Sequence, residues 1–116
     1  MAIVSSHVLD AVAGNHAAGI RVTLQRVDAA GARVQLFDET ADHEGRIMVE
    51  VEVDATTDDY ELVFHCAAYF AQRVAPDHDR RLVKEVVVRL QMPDPDARYH
   101  MPVVLSPHAY TVWWPA

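Results

Sequence analysis

Along most of the chain, apolar and polar residues alternate with the two-residue period of a strand that buries one face. Ile20, Val22 and Leu24 interleave with Arg21, Thr23 and Gln25. Ile47, Val49, Val51 and Val53 interleave with Met48, Glu50, Glu52 and Asp54. Tyr99, Met101, Val103 and Leu105 form another alternating set. Tyr60 to Phe64 and Leu82 to Leu90 are dense in β-branched and aromatic residues, which suit a pleated surface. Turn formers separate the runs: Gly14-Asn15, Ala30-Gly31, Glu44-Gly45 and Pro93-Asp94-Pro95-Asp96. One stretch reads as helix, Ala67 to Val74, stopped ahead of Pro76. The pattern predicts an all-β fold, a two-sheet β-sandwich of about eight strands with one short helix.

Length confines this architecture to one domain, residues 1–116, around one core. No repeat, linker or low-complexity segment interrupts it. A net charge of −7 opposes nucleic acid or an anionic membrane as main partner, because both require a basic surface. Cys66 is the single cysteine, so no intramolecular disulfide is expected, and it reads as a small buried apolar residue. The opening Met1 to Ser6 has no basic region ahead of an apolar run, as a secretory signal would. No apolar run approaches the roughly 20 residues of a membrane span. The last residues carry no peroxisomal address. The expected location is the cytoplasm. Pro76-Asp77-His78-Asp79-Arg80-Arg81 reads as a solvated loop.

Three segments carry a resemblance. The first is Ser6-His7-Val8-Leu9-Asp10, continuing through Gly14 to Ala17-Ala18-Gly19-Ile20. The second is Tyr60 to His65 with the helix after it, preceded by Asp42-His43-Glu44-Gly45-Arg46. The third is Tyr99-His100-Met101-Pro102-Val103-Val104-Leu105-Ser106-Pro107-His108-Ala109-Tyr110. In this order they resemble the transthyretin-like family, and within it the 5-hydroxyisourate hydrolases. His16 stands where the family pattern has proline. The resemblance implies a sandwich that dimerises through edge strands, with two dimers forming a homotetramer around a central channel that holds the active sites. It also implies a catalytic set of His7, Arg46 and His100, with no cofactor and no metal. The family's terminal Tyr-Arg-Gly-Ser is replaced here by Trp113-Trp114-Pro115-Ala116.

Parity and chemistry can be read beside the resemblance. On a strand, residues two apart share a face. If Tyr99, Met101, Val103 and Leu105 face the core, His100 faces away from it. His7 shares a face with Leu9, and Thr111 with Trp113 and Pro115, so both histidines and Trp113 can line one surface. Opening a cyclic ureide needs water attack on a ring carbonyl. A neutral imidazole can take the water's proton, and a guanidinium can hold an anionic ring and the developing oxyanion. His7 and His100 suit the first role and Arg46 the second. His108, Thr111, Trp113 and Trp114 are the expected substrate-binding residues near the altered terminus. His16, His43, His65 and His78 read as surface or core residues, and the histidines lack the spacing of a metal site.

Three functions follow as expectations. One is hydrolysis of 5-hydroxyisourate or a related cyclic ureide in purine breakdown. Another is a repurposed enzyme acting on a more aromatic ring, since two indoles make a site more apolar. The third is a non-catalytic small-molecule carrier.

Overall fold

The computed structural model describes residues 1–54, 56–74 and 83–115. Among these residues the chain forms ten strands and one helix, arranged as two facing sheets. The first sheet is organised around β1 (Ala2–Asp10). On one side of β1 lie β5 (Arg46–Val51) and the two-residue β2 (Asn15–His16), both antiparallel to it. On the other side lie β8 (Arg98–His100) and β9 (Val103–Leu105), both parallel to it. β10 (Tyr110–Val112) pairs antiparallel with β9 and forms the sheet edge. The second sheet runs β4 (Arg33–Thr40), β3 (Arg21–Val27), β6 (Asp59–Phe64), β7 (Val86–Leu90), with every pair antiparallel.

The alternating sets close on each other. Val4, Val8, Ile47, Tyr99, Val103 and Leu105 from the first sheet are buried, as are Val22, Leu24, Leu62, Phe64 and Val86 from the second. Each such side chain removed from water contributes about 1.5–3 kcal/mol. The helix α1 (Cys66–Ala71) adds Phe70 and Cys66 to the same core.

Differences from the sequence pattern have local causes. The Tyr99–Leu105 strand is two strands, because Pro102 has no N–H to give β1. The register is nevertheless continuous, with Ser5 opposite His100 and Val8 opposite Val103. This split and the small β2 account for ten strands against about eight. The helix ends at Ala71 instead of Val74: the Arg73 amide turns tightly back to the Phe70 carbonyl, and its guanidinium takes the Tyr69 carbonyl at 2.8 Å. β7 begins at Val86, not at residue 82, because the Lys84 carbonyl is occupied by the Ala67 amide and the Cys66 thiol. The expected loop from Pro76 to Arg81 lies outside the described residues.

Candidate active site

The site is built on the outward face of the first sheet. Residues directly opposite on paired strands share a face, so the register lays out the surface in rows. One row runs Arg46 beside His7. The next runs Met48, Ser5, His100. Beyond it come Glu50, Ile3 and Arg98. On the other side of His7 lie His16, Leu9, Val104 and Thr111. Tyr99, Met101, Val103 and Leu105 are all buried, which leaves His100 on the opposite, outward face. His7, Arg46 and His100, far apart in sequence, are thereby brought together.

Two turns hold the histidines and the arginine in place. In the turn before β5, one Asp42 carboxylate oxygen accepts from the amides of Glu44 at 2.9 Å and Arg46 at 3.0 Å. Those amides, Arg46's first, hold the Asp42 carboxyl below the usual carboxylate range. Gly45 has φ +70°, and its carbonyl receives the Val8 amide at 2.7 Å. A Cβ at Gly45 would lie 2.4 Å from the Val8 carbonyl oxygen, so only glycine lets this turn press onto β1. In the turn after β1, Asp10 is buried and receives the amides of Val12 and Ala13 and the hydroxyl of Tyr69. Its carbonyl accepts from Gly14 at 2.9 Å. That turn sends Asn15–His16 back along β1.

The polar contacts are specific. Ser5 Oγ and His100 Nδ1 are 2.8 Å apart. His7 Nε2 and His16 Nδ1 are 3.0 Å apart. Burial, then Arg46 and Arg98, lowers the pKa of His100 below the ordinary imidazole value. Burial also lowers that of His7, with Arg46 and then His16 acting in the same direction. Both rings are therefore biased toward the neutral, proton-accepting form. Beside them is an open concavity of about 510 Å³ whose wall includes Ser5, Arg46, Met48, Arg98, His100 and Pro115. Two guanidinium groups on one wall suit an anionic, planar guest.

The other expected binding residues lie elsewhere in the chain. Thr111 shares the outward face but lines a separate shallow concavity with Val104 and Tyr110. Trp114 packs against Tyr99, with ring centroids 5.6 Å apart. Trp113 is 41% exposed, and its amide meets the Pro102 carbonyl at 3.4 Å. His108 is exposed in the turn that the Ser106 hydroxyl caps. Pro115, not an indole, reaches the His100 concavity. Ser5 and Arg98, which also line the concavity, were not singled out in the sequence. Alternation places Ser5 with His7 and Arg98 with His100.

Among the described residues, no group of three or more His, Cys, Asp or Glu side chains is placed to hold a metal ion. Nor is any helix among them long and apolar enough to cross a membrane.

Known proteins share this sequence and fold. The "5-hydroxyisourate hydrolase 2" of Rhizobium meliloti is 32% identical over 94% of this chain and 92% of its own length. The 5-hydroxyisourate hydrolase of Pseudomonas aeruginosa is 30% identical over 97% of this chain and 90% of its own. The solved structure of the Klebsiella pneumoniae 5-hydroxyisourate hydrolase superposes with a TM-score of 0.79 at 20% identity, covering 100% of both chains. Residues 4–114 match the HIUase/Transthyretin family, and the chain belongs to that family.

Proposed function

We propose that this protein hydrolyses 5-hydroxyisourate or a closely related cyclic ureide in purine breakdown, with His7, Arg46 and His100 as the working residues. The carrying observation is their convergence on one outward face, in a chain whose relatives bear that enzyme's name. In this reaction an imidazole takes a proton from water, and the water oxygen bonds to a ring carbonyl carbon. The oxyanion that forms faces a guanidinium, and the ring C–N bond then breaks as the nitrogen takes the proton back from the imidazolium.

His100 is suited to the exchange. In the tautomer whose Nδ1–H donates to Ser5 Oγ, 2.8 Å away, Nε2 carries the free lone pair. Its neutral form is favoured by burial and by Arg46. Arg46 and Arg98 together supply the cationic wall for the ring and its oxyanion. The step as written draws on no metal or cofactor.

The carrier and aromatic-substrate readings rest on indoles lining the site. Trp114 is instead drawn onto Tyr99, which favours the hydrolase. His108, Thr111, Trp113 and Trp114 remain candidates for contacts made in the assembly. That assembly is proposed to be a cytoplasmic homotetramer. Exposed Val87 on the edge strand β7, and Tyr110 and Trp113 at the edge strand β10, support pairing between copies.

The test is turnover of 5-hydroxyisourate, generated in place from urate, against its uncatalysed decay. Saturable acceleration that disappears in His100→Ala, with the fold retained by circular dichroism, is expected. Decay no faster than the blank in folded wild-type protein would overturn the substrate assignment.

A further inference from the structure

The two guanidinium groups on the wall of the His100 concavity are in unequal circumstances. Arg46 has the Glu44 carboxylate 3.8 Å from its Nε. The Arg98 guanidinium has no carboxylate partner among the described residues; its Nη2 meets the Met48 thioether at 3.5 Å. A thioether is a weak acceptor, so most of the fork is left without one. The other described arginines are engaged: Arg21, Arg26, Arg33 and Arg89 with carboxylates, and Arg73 with two backbone carbonyls. Glu50 lies in the same row as Arg98, across Ile3, and forms no ion pair with it. A chain of net charge −7 thus leaves this cation uncommitted, on the wall that also holds His100.

The strand fixes where that cation stands. Arg98 and His100 are two apart on β8, so they share the outward face with a spacing of about 6.8 Å. Tyr99 between them is buried, and its hydroxyl donates to the Asp94 carbonyl at 2.8 Å and accepts from the Asp94 amide at 3.0 Å. Behind burial and Arg46, Arg98 lowers the pKa of His100, so its field reaches the imidazole. Asp42, the carboxylate on the same wall, is occupied by the amides of Glu44 and Arg46. Of the described terminal residues, Pro115 alone lines the concavity, and it brings no charge.

Ring opening changes the charge of the guest. The water oxygen bonds to the ring carbonyl carbon, the C–N bond breaks, and the nitrogen takes one of the water's protons. The second proton leaves the new carboxylic acid for solvent, since neutral pH lies well above a carboxyl pKa of about 4. The product is a ureido carboxylate, one unit more negative than the closed ring. Resting on the hydrolase reading, we propose that Arg98 is a specificity-determining residue that receives this carboxylate, so that the site binds open-chain ureido acids as well as closed rings. The planar fork offers paired N–H donors that match two carboxylate oxygens. Only the weak Met48 contact has to be given up. Turnover is then restrained by accumulated product until a following reaction, one that consumes a ureido acid, removes it.

N-carbamoylglycine and hydantoin are matched probes, an acid and the ring it closes to, differing by one water. Calorimetric or chemical-shift titration of the folded protein at neutral pH should show the acid binding at least about tenfold more tightly than the ring, the scale of a charged hydrogen-bonded contact. Arg98→Gln should raise the Kd of the acid about tenfold or more and leave that of hydantoin nearly unchanged. Arg98→Lys, which keeps the charge without the fork, should fall between. Equal affinity for the acid in wild type and Arg98→Gln, or no binding of the acid by wild type, would overturn the proposal. So would an equal loss for both probes, which would make Arg98 a determinant of the site's shape. These titrations need no turnover, so failure of the hydroxyisourate assay strikes the substrate assignment and leaves the Arg98 contact to be judged separately.

Discussion

Gly45→Ala combines two penalties that comparison with Gly31→Ala can separate. Both glycines have positive φ, +70° and +84°. An added Cβ at Gly31 meets nothing within 4 Å, so that variant costs only the backbone term, about 1–2 kcal/mol. At Gly45 the Cβ meets the Val8 carbonyl oxygen at 2.4 Å and the Ala17 amide nitrogen at 3.1 Å. Both are backbone atoms in paired strands or beside them, and neither can rotate away. Relief requires moving the turn off β1, at an overpacking cost of about 1–3 kcal/mol beyond the backbone term. The effect of alanine on the unfolded chain is common to both variants and cancels in the difference. Equilibrium urea unfolding at one fixed protomer concentration measures it, since self-association would otherwise enter the stability. Gly45→Ala should be less stable than Gly31→Ala by about 1–3 kcal/mol. It should also lose turnover, because the same turn carries Arg46. Equal stabilities within about 0.5 kcal/mol would refute the close-approach argument.

Further expectations concern charge and pH. Arg46→Lys keeps the charge but loses the planar fork, so kcat/KM for hydroxyisourate should fall at least about tenfold, by roughly 1.4 kcal/mol or more; unchanged kinetics would remove Arg46 from substrate contact. The lowered pKa values of His7 and His100 place the acid limb of kcat/KM below the ordinary imidazole value of about 6.5. By linkage the unfolded chain binds those protons first, so the two histidines add stability that is full above about pH 6.5 and is lost as pH falls through their folded values. Potentiometric or fluorescence-detected unfolding across that window checks the sign. Glu61 is 6% exposed and bonds Arg89, Arg33 and Gln25, with Arg89 first among the groups that lower its pKa. Glu61→Gln should cost about 1–3 kcal/mol at neutral pH. Its deficit against wild type should shrink as pH falls below the ordinary glutamate value of about 4.3 and through the lower value of the folded carboxylate.

The sheets were legible because burial imposes a two-residue period and the chain obeys it. Val22 and Leu24, or Tyr99 to Leu105, could be assigned to the core from alternation alone. The outward direction of His100 followed from the same parity. Contacts between strands distant in sequence were not legible, because register depends on turns and on pairing partners that one strand does not encode. His16 illustrates this: its proximity to His7 exists only because Asp10 caps the intervening turn. The terminus shows the opposite limit. Two tryptophans read as site lining, but a nearby aromatic surface, Tyr99, gives Trp114 a packing partner the sequence pattern did not reveal.

Arg46, His7, Ser5 and His100 are all fixed by ladder hydrogen bonds, not by flexible connections. The reacting groups therefore occupy something like a pegboard, with pitch about 4.8 Å across strands and about 6.8 Å along them. Single exchanges at Ile3, Met48 or Leu9 can recontour the board without moving any peg that holds the chemistry. A slip of one residue in β1 would instead turn Ser5 and His7 toward the hydrocarbon interior and part them from Arg46 and His100. The scaffold is thus permissive toward new guests and intolerant of insertions within the ladder. Diversification by side-chain replacement, with strand lengths unchanged, is the route this architecture leaves open.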